Sequence, residues 1–200
     1  MKKTIHFIRH GQTKYNFEKK IQGSVNIPLS EVGIQQAKEF DSKFFLENYD
    51  VAYHSSLDRS KKTLEIIINK ISNKPKVELS DLIIERSYGI FEGLHDDEIK
   101  SKYPETFVNW KEDENTLIEK AEPIEKVVKR VLEFIDLIKK SDDKNILVVT
   151  HSGVLYALYK HITKTGLGVR PKEIYFHNCC SVYLNIDNDK LELIFKNKVY

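Results

Sequence analysis

The sequence predicts an α/β fold, a three-layer α/β/α sandwich with a mostly parallel central sheet and a C-terminal antiparallel hairpin. Three observations carry this expectation. Short β-branched and aromatic runs alternate with amphipathic stretches, the pattern of strands joined by right-handed helical crossovers. The run NILVVT, Asn145 to Thr150, is apolar almost throughout, as in a parallel strand covered on both faces. Near the C-terminus SVYLNI and KLELIF flank DND, as two strands around a tight turn do.

Taken in order, TIHFIRH (Thr4 to His10) is the first strand, rich in β-branched and aromatic residues. LSEVGIQQAKEFDSKFFLENY follows as a helix that Ser30 caps, with Ile34, Ala37, Phe40 and Phe44 on its apolar face. DVAYHS (Asp50 to Ser55) is a short strand. SLDRSKKTLEIIINKI is a second helix with Leu57, Leu64, Ile67, Ile68 and Ile71 as its stripe. KVELSDLIIE carries another short strand and leads to Glu85. Residues 95–118 are acidic and sparsely apolar, with Pro104 and the single Trp110, and read as an irregular or short-helical, lid-like insertion. Pro123 opens the amphipathic helix IEKVVKRVLEFIDLIKK. A helix over 153–162 follows NILVVT. Residues 1–200 read as a single domain, which at this length buries roughly 70 % of the surface its unfolded chain exposes.

Composition narrows the function. Lysine and arginine number 32 against 30 aspartates and glutamates, a near balance that argues against nucleic acid as the main partner. No apolar run approaches the ~20 residues of a membrane span. The N-terminal MKKTIHFIRH is interrupted by His6 and Arg9 before it reaches the about 7–15 apolar residues of a signal-peptide core. The expectation is a cytoplasmic protein. The two cysteines, Cys179 and Cys180, are adjacent and read as reduced thiols, with no partners at metal-ligand spacing.

Two strands end unusually. His10 closes the first, directly after Arg9, and His151 closes NILVVT. Arg59 comes shortly after the strand ending near His54, and Glu85 ends an apolar run. Ligands of open α/β sheets sit beyond the carboxyl ends of the strands. Taken singly, each residue reads as ordinary: a hydrogen-bonded core histidine, a solvated helix charge, a surface ion pair between Glu85 and Arg86 worth about 0–1 kcal/mol. Together they form a phosphate site. Arginines grip phosphate oxygens bidentately at any working pH, and a neutral imidazole is a competent nucleophile toward phosphorus. The helix N-terminus after His151 adds backbone donors for an anion. A protonated carboxyl can hand its proton to a leaving alcohol. A metallohydrolase built on His10 and His151 lacks the clustered carboxylates such sites need, so neither metal nor cofactor is expected.

Five segments in order resemble the histidine phosphatase superfamily, the phosphoglycerate-mutase-like group. They are IRHGQT (Ile8 to Thr13), IQGSVNIPLSEVGIQQA, SSLDRSKKT (Ser55 to Thr63), ERSYGIFEG (Glu85 to Gly93) and VVTHSGV (Val148 to Val154). The resemblance covers nearly the whole chain. It implies that His10 is the nucleophile and carries a transient phosphohistidine, that Arg9, Arg59 and His151 surround the phosphoryl group, and that Glu85 is the proton donor. Asn16, Gln22 and Gly23 would add phosphate contacts, and Ser152 would cap the helix or touch phosphate. Asn26 stands where many relatives have Asp, Ser152 where Gly is usual, and AEPIE replaces the usual Gly-Glu-Ser helix start. The implied function is a metal-independent phosphomonoester hydrolase of the small phosphatase branch acting on a small phosphorylated metabolite. The alternatives are a phosphoglycerate mutase and a non-catalytic phosphate-binding module. The stretch after Glu92-Gly93 holds no arginine, which disfavours the mutase, and the presence of all five core residues disfavours the module.

Overall fold

The computed structural model describes residues 2–169, 171–188 and 190–199. Six strands form one sheet: β1 (Lys2–Arg9), β2 (Val51–His54), β3 (Lys76–Leu79), β4 (Asn145–Thr150), β5 (Phe176–Asp187) and β6 (Lys190–Val199). Their spatial order is β3-β2-β4-β1-β5-β6. The β2–β3, β2–β4 and β1–β4 pairs are parallel, and β1–β5 and β5–β6 antiparallel, so the sheet is mostly parallel with an antiparallel C-terminal hairpin. The described helices are α1 (Lys14–Phe17), α2 (Glu31–Lys38), α3 (Asp58–Ile68), α4 (Asp96–Lys102), α5 (Pro104–Glu112), α6 (Ile124–Lys140) and α7 (Ser152–Thr163). None among the described residues is long and apolar enough to cross a membrane.

Period-2 alternation divides β4 between the two faces. Ile146 and Val148 join Val127, Val131, Phe134 and Ile135 of α6 and Leu155 and Leu158 of α7 in one core. Leu147 and Val149 join Leu64 and Ile67 of α3 and Phe40 and Tyr49 in the other. The sheet is thus covered on both sides, as the apolar run of β4 requires. Truncating a fully buried residue such as Phe134 to Ala in such a core costs about 3–5 kcal/mol.

One element departs from the expectation. Ser30 caps α2 as predicted, its hydroxyl accepting the Gly33 N–H at 3.1 Å, but the helix stops at Lys38 instead of running on toward Tyr49. Asp41 and Ser42 follow within the FDSKFF stretch and compete with the helical backbone. Asp41 accepts the Lys43 N–H at 2.9 Å and starts a 3-10 turn, Ser42–Phe44, while Lys70 Nζ takes the carbonyl oxygens of Lys38 and Phe40. Phe40 and Tyr49 then turn inward around the buried His6. The 95–118 segment takes the short-helical of the two forms expected for it. Its helices α4 and α5 close a small core of Phe91, Ile99, Trp110 and Ile118. Beyond α5, Glu114 N donates to Gly168 O at 2.9 Å, Arg86 donates to Glu114 O at 3.2 Å, and buried Lys160 donates to the Glu114 carboxylate.

Candidate active site

Sheet register brings the strand-end residues together. Arg9 pairs with Thr150 across parallel β1 and β4, so His10 and His151 leave the sheet side by side, with ring centroids 5.1 Å apart. His54 pairs with Val149 across β2 and β4, so Ser55 emerges beside His151.

His10 is fully buried, and its Nδ1 lies 2.7 Å from Gly11 O. A carbonyl only accepts, so Nδ1 carries the proton and Nε2 keeps its lone pair. Burial first, then the Arg59 and Arg9 guanidiniums, hold the imidazole pKa well below its ordinary value. The turn after His10 has room only for glycine, because a Cβ on Gly11 would meet Gly33 O of α2 at 2.4 Å. Gly11 N donates to Thr63 Oγ1 at 3.0 Å, and that hydroxyl donates to Arg59 O at 2.7 Å, which ties the loop to α3.

Both arginines are buried and anchored by backbone carbonyls. Arg9 Nη1 donates to Phe176 O at 2.6 Å. Arg59, fully buried, donates to Val25 O and Gly23 O, each at 2.7 Å. The Nε atoms of Arg9 and Arg59 and the Nδ1 of His151 are buried with no hydrogen-bond partner among the described residues. Burial draws the Arg59 pKa down to about 10, which leaves the group charged at neutral pH. His151 is held well below its ordinary pKa by burial and then by Arg59, His10 and Arg9. Buried cations and orphaned polar atoms are costly unless an anion completes them. The arrangement is chemically suited to hold an anion such as a phosphoryl group.

Glu85 is buried beside this cradle. Its Oε1 accepts the N–H groups of Arg86 at 2.9 Å and Gly153 at 3.0 Å. The Ser152 hydroxyl lies 3.4 Å from Oε2. One first-turn donor of α7, the Gly153 N–H, therefore serves Glu85, and Ser152 points to the same carboxyl group instead of capping its helix. Glu92 has a different task. Its Oε1 accepts from Ser24 N at 2.8 Å, Tyr88 N at 2.9 Å and the Ser87 hydroxyl at 3.1 Å, which fastens the 22–25 loop.

A cavity of about 430 Å³ opens above, lined by Arg9, Asn16, Gln22, Gly23, Glu85 and Ser152 among others. His10, Arg59 and His151 are not among its lining residues and are fully buried. Asn16 Oδ1 accepts from Thr13 N at 3.1 Å and Asn178 Nδ2 at 3.2 Å, and Gln22 Oε1 accepts the Thr13 hydroxyl. Asn26 and Asp58 exchange reciprocal bonds of 2.9 and 3.0 Å that pin the loop to α3, which an aspartate could not do as a donor. Sequence reasoning passed over Ser55, Thr63, Gly153 and Asn178, whose roles arise from contacts across 52 to 168 residues of chain. Among the described residues no three His, Cys, Asp or Glu side chains converge as a metal-binding group would.

Residues 5–198 match the histidine phosphatase superfamily (branch 1). A metal-independent phosphoserine phosphatase of Arabidopsis thaliana is 34% identical over 166 residues, covering 81% of this chain and 69% of the relative. Phosphoserine phosphatase 1 of Hydrogenobacter thermophilus is 32% identical over 155 residues, covering 76% of this chain and 72% of the relative. The solved structure of Bacillus stearothermophilus YhfR superposes with a TM-score of 0.86 at 24% identity over 97% of this chain and 96% of that one, a likeness of fold.

Proposed function

The chain belongs to the histidine phosphatase superfamily (branch 1) and is a phosphatase, and we propose that it hydrolyses a small phosphomonoester through phosphohistidine at His10. The observation that carries this reading is the His10 tautomer: Gly11 O takes Nδ1–H and leaves an unprotonated Nε2 beside two buried guanidiniums. Arg9, Arg59 and His151 hold the non-bridging oxygens, and their charge compensates that which develops on the phosphoryl group. Nε2 attacks phosphorus, the P–O bond to the alcohol breaks, and Glu85 gives its proton to the departing oxygen. Water then attacks the phosphohistidine, Glu85 takes a proton from it, and the N–P bond breaks to release inorganic phosphate. Asn16, Gln22, Gly23 and Ser152 frame the substrate in the cavity. Phosphoserine is the first candidate substrate, because two relatives carry that name. The whole chain acts as one domain, with residues 95–118 as a wall of the cavity fastened through Glu114. Cys179 and Cys180 are adjacent and both buried, which fits a reducing, cytoplasmic setting.

The test is to quench the enzyme during turnover of phosphoserine and look for phosphate on His10 that is labile in acid and stable in base. His10→Ala should lose both the phosphoenzyme and orders of magnitude in turnover. Full activity in His10→Ala would refute the mechanism.

A further inference from the structure

The two histidines of the cradle have opposite tasks, and this inference rests on the phosphatase reading for their meaning. His10 must offer a lone pair. His151 must offer an N–H, because a lone pair turned to a phosphoryl oxygen would set acceptor against acceptor. A neutral imidazole carries one ring proton, so its tautomer decides whether His151 helps or repels.

The polar atoms around Ser55 settle that tautomer. Ser55 is fully buried. Its Oγ lies 2.7 Å from His151 Nε2 and 3.4 Å from Leu57 N, and among the described residues no other group is within hydrogen-bonding reach of it. The Leu57 N–H can only donate, so the hydroxyl proton has one acceptor, His151 Nε2. With the reverse polarity, Nε2–H donating to Ser55, the hydroxyl proton would be stranded in the core, and buried polar groups are seldom left so. The Ser55 backbone is fixed as well. Its N–H donates to Ser60 Oγ at 3.1 Å, and the Ser60 hydroxyl donates to Val149 O of β4 at 2.7 Å, two residues before His151.

We infer that Ser55 is a positioning residue: its hydroxyl donates to Nε2 and holds His151 as the Nδ1–H tautomer, so that the uncharged ring gives a hydrogen bond to the phosphoryl group. The two histidines are set in opposite senses by second partners of opposite kind. A backbone acceptor on His10 Nδ1 makes a nucleophile, and a hydroxyl donor on His151 Nε2 makes a hydrogen-bond donor.

The tautomer is read directly by two-bond ¹H–¹⁵N correlation of the histidine rings, with His151→Gln assigning the signal. The expected wild-type spectrum has His151 protonated at Nδ1 and bare at Nε2. In Ser55→Ala the ring should redistribute between tautomers and affinity for inorganic phosphate should fall about 10-fold, the scale of one hydrogen bond. Ser55→Thr, which keeps the hydroxyl, should restore both. A wild-type His151 protonated at Nε2 overturns the inference, and so does a Ser55→Ala protein with unchanged ring spectrum and phosphate affinity. If Ser55→Ala does not fold, the wild-type spectrum decides alone. Because the spectrum needs no turnover, an Nδ1–H signal in a protein that binds no phosphate would uphold the tautomer and overturn the phosphatase reading.

Discussion

Gly153→Ala isolates the contribution of Glu85. A Cβ at Gly153 would lie 2.2 Å from Glu85 Oε1, against the 3.4 Å or more of an ordinary contact, so the carboxyl must move by about 1 Å. The other neighbours of that Cβ, Glu85 Cδ at 3.3 Å and Arg86 Cβ at 3.4 Å, are side-chain atoms at tolerable distances. No backbone is struck, and alanine in a helical position regains roughly 0.5–1 kcal/mol over glycine, so the fold should survive with an apparent melting temperature within a few degrees of the parent. The catalytic effect should be selective. A displacement of this size costs on the order of 10²-fold when a reacting group is misplaced, or about 2.7 kcal/mol of barrier. That loss should fall on kcat/KM for alkyl phosphates such as phosphoserine, whose alkoxide must be protonated as it leaves. p-Nitrophenyl phosphate, with a leaving group that is stable as an anion, should lose only a few-fold. The assay is parallel steady-state kinetics of both substrates on both proteins. Equal losses on the two substrates, or none on the alkyl phosphate, would refute the assignment of Glu85 as the proton donor.

Activity should withstand a chelator and be inhibited by vanadate, since Arg9 and Arg59 supply the charge that a divalent ion provides elsewhere; a strict need for added metal would show the site misread. Stability should fall as pH drops below about 6.5: burial lowers His6 to about 3 and places His10 and His151 well below their usual values, so the unfolded chain takes up protons first, at up to about 1.4 kcal/mol per pH unit for each group. Urea midpoints at pH 7 and pH 5 measure it, and a midpoint that rises at pH 5 would contradict the buried neutral histidines. Supplied with 3-phosphoglycerate and 2,3-bisphosphoglycerate, the enzyme should release phosphate faster than it forms 2-phosphoglycerate, because the segment from Leu94 to Pro123 has no arginine and carries acids such as Asp96, Asp97 and Glu98. Isomerisation faster than release would restore the mutase reading.

The parts legible in the sequence were those fixed by local pattern. The apolar run of β4 showed a buried parallel strand, and the polar residues that close it and β1 together marked a candidate site at the carboxyl edge of the sheet. The early stop of α2 was not legible, because the cap comes from Lys70, 30 residues from Phe40 along the chain. The structural task of Glu92 was not legible either, since nothing local shows that its oxygen is taken by Ser24, Ser87 and Tyr88. Gly153 was passed over because the reason for it, a carboxylate at the place of the missing Cβ, lies 68 residues away. Arg86 was read as a surface ion pair, yet it is buried and holds the carbonyl oxygens of Glu114 and Glu122.

The way the cations are anchored explains how a buried positive site can remain open for an anion. A carboxylate partner would stabilise Arg9 or Arg59 more strongly, because charge-assisted pairs are the stronger bonds. It would also neutralise the charge and compete with phosphate for the same donors. Among the described residues the hydrogen-bond partners of both guanidiniums are carbonyls: Phe176 O for Arg9, Gly23 O and Val25 O for Arg59. A carbonyl orients a guanidinium and leaves its net charge in place. The carboxylates nearest in effect, Glu85 and Glu92, raise the Arg59 pKa only through space, and each is occupied by backbone N–H groups. Those N–H groups keep both acids from closing onto the arginine. The three carbonyls come from the start of β5 and the loop before α2, so the charged cradle forms only when the antiparallel hairpin, the 23–25 loop and α3 have docked on the ends of β1 and β4. On the proposed phosphatase reading, substrate affinity and completed fold are in this way one arrangement, and the Nε atoms of both arginines, unpartnered among the described residues, are the donors left for the phosphoryl oxygens.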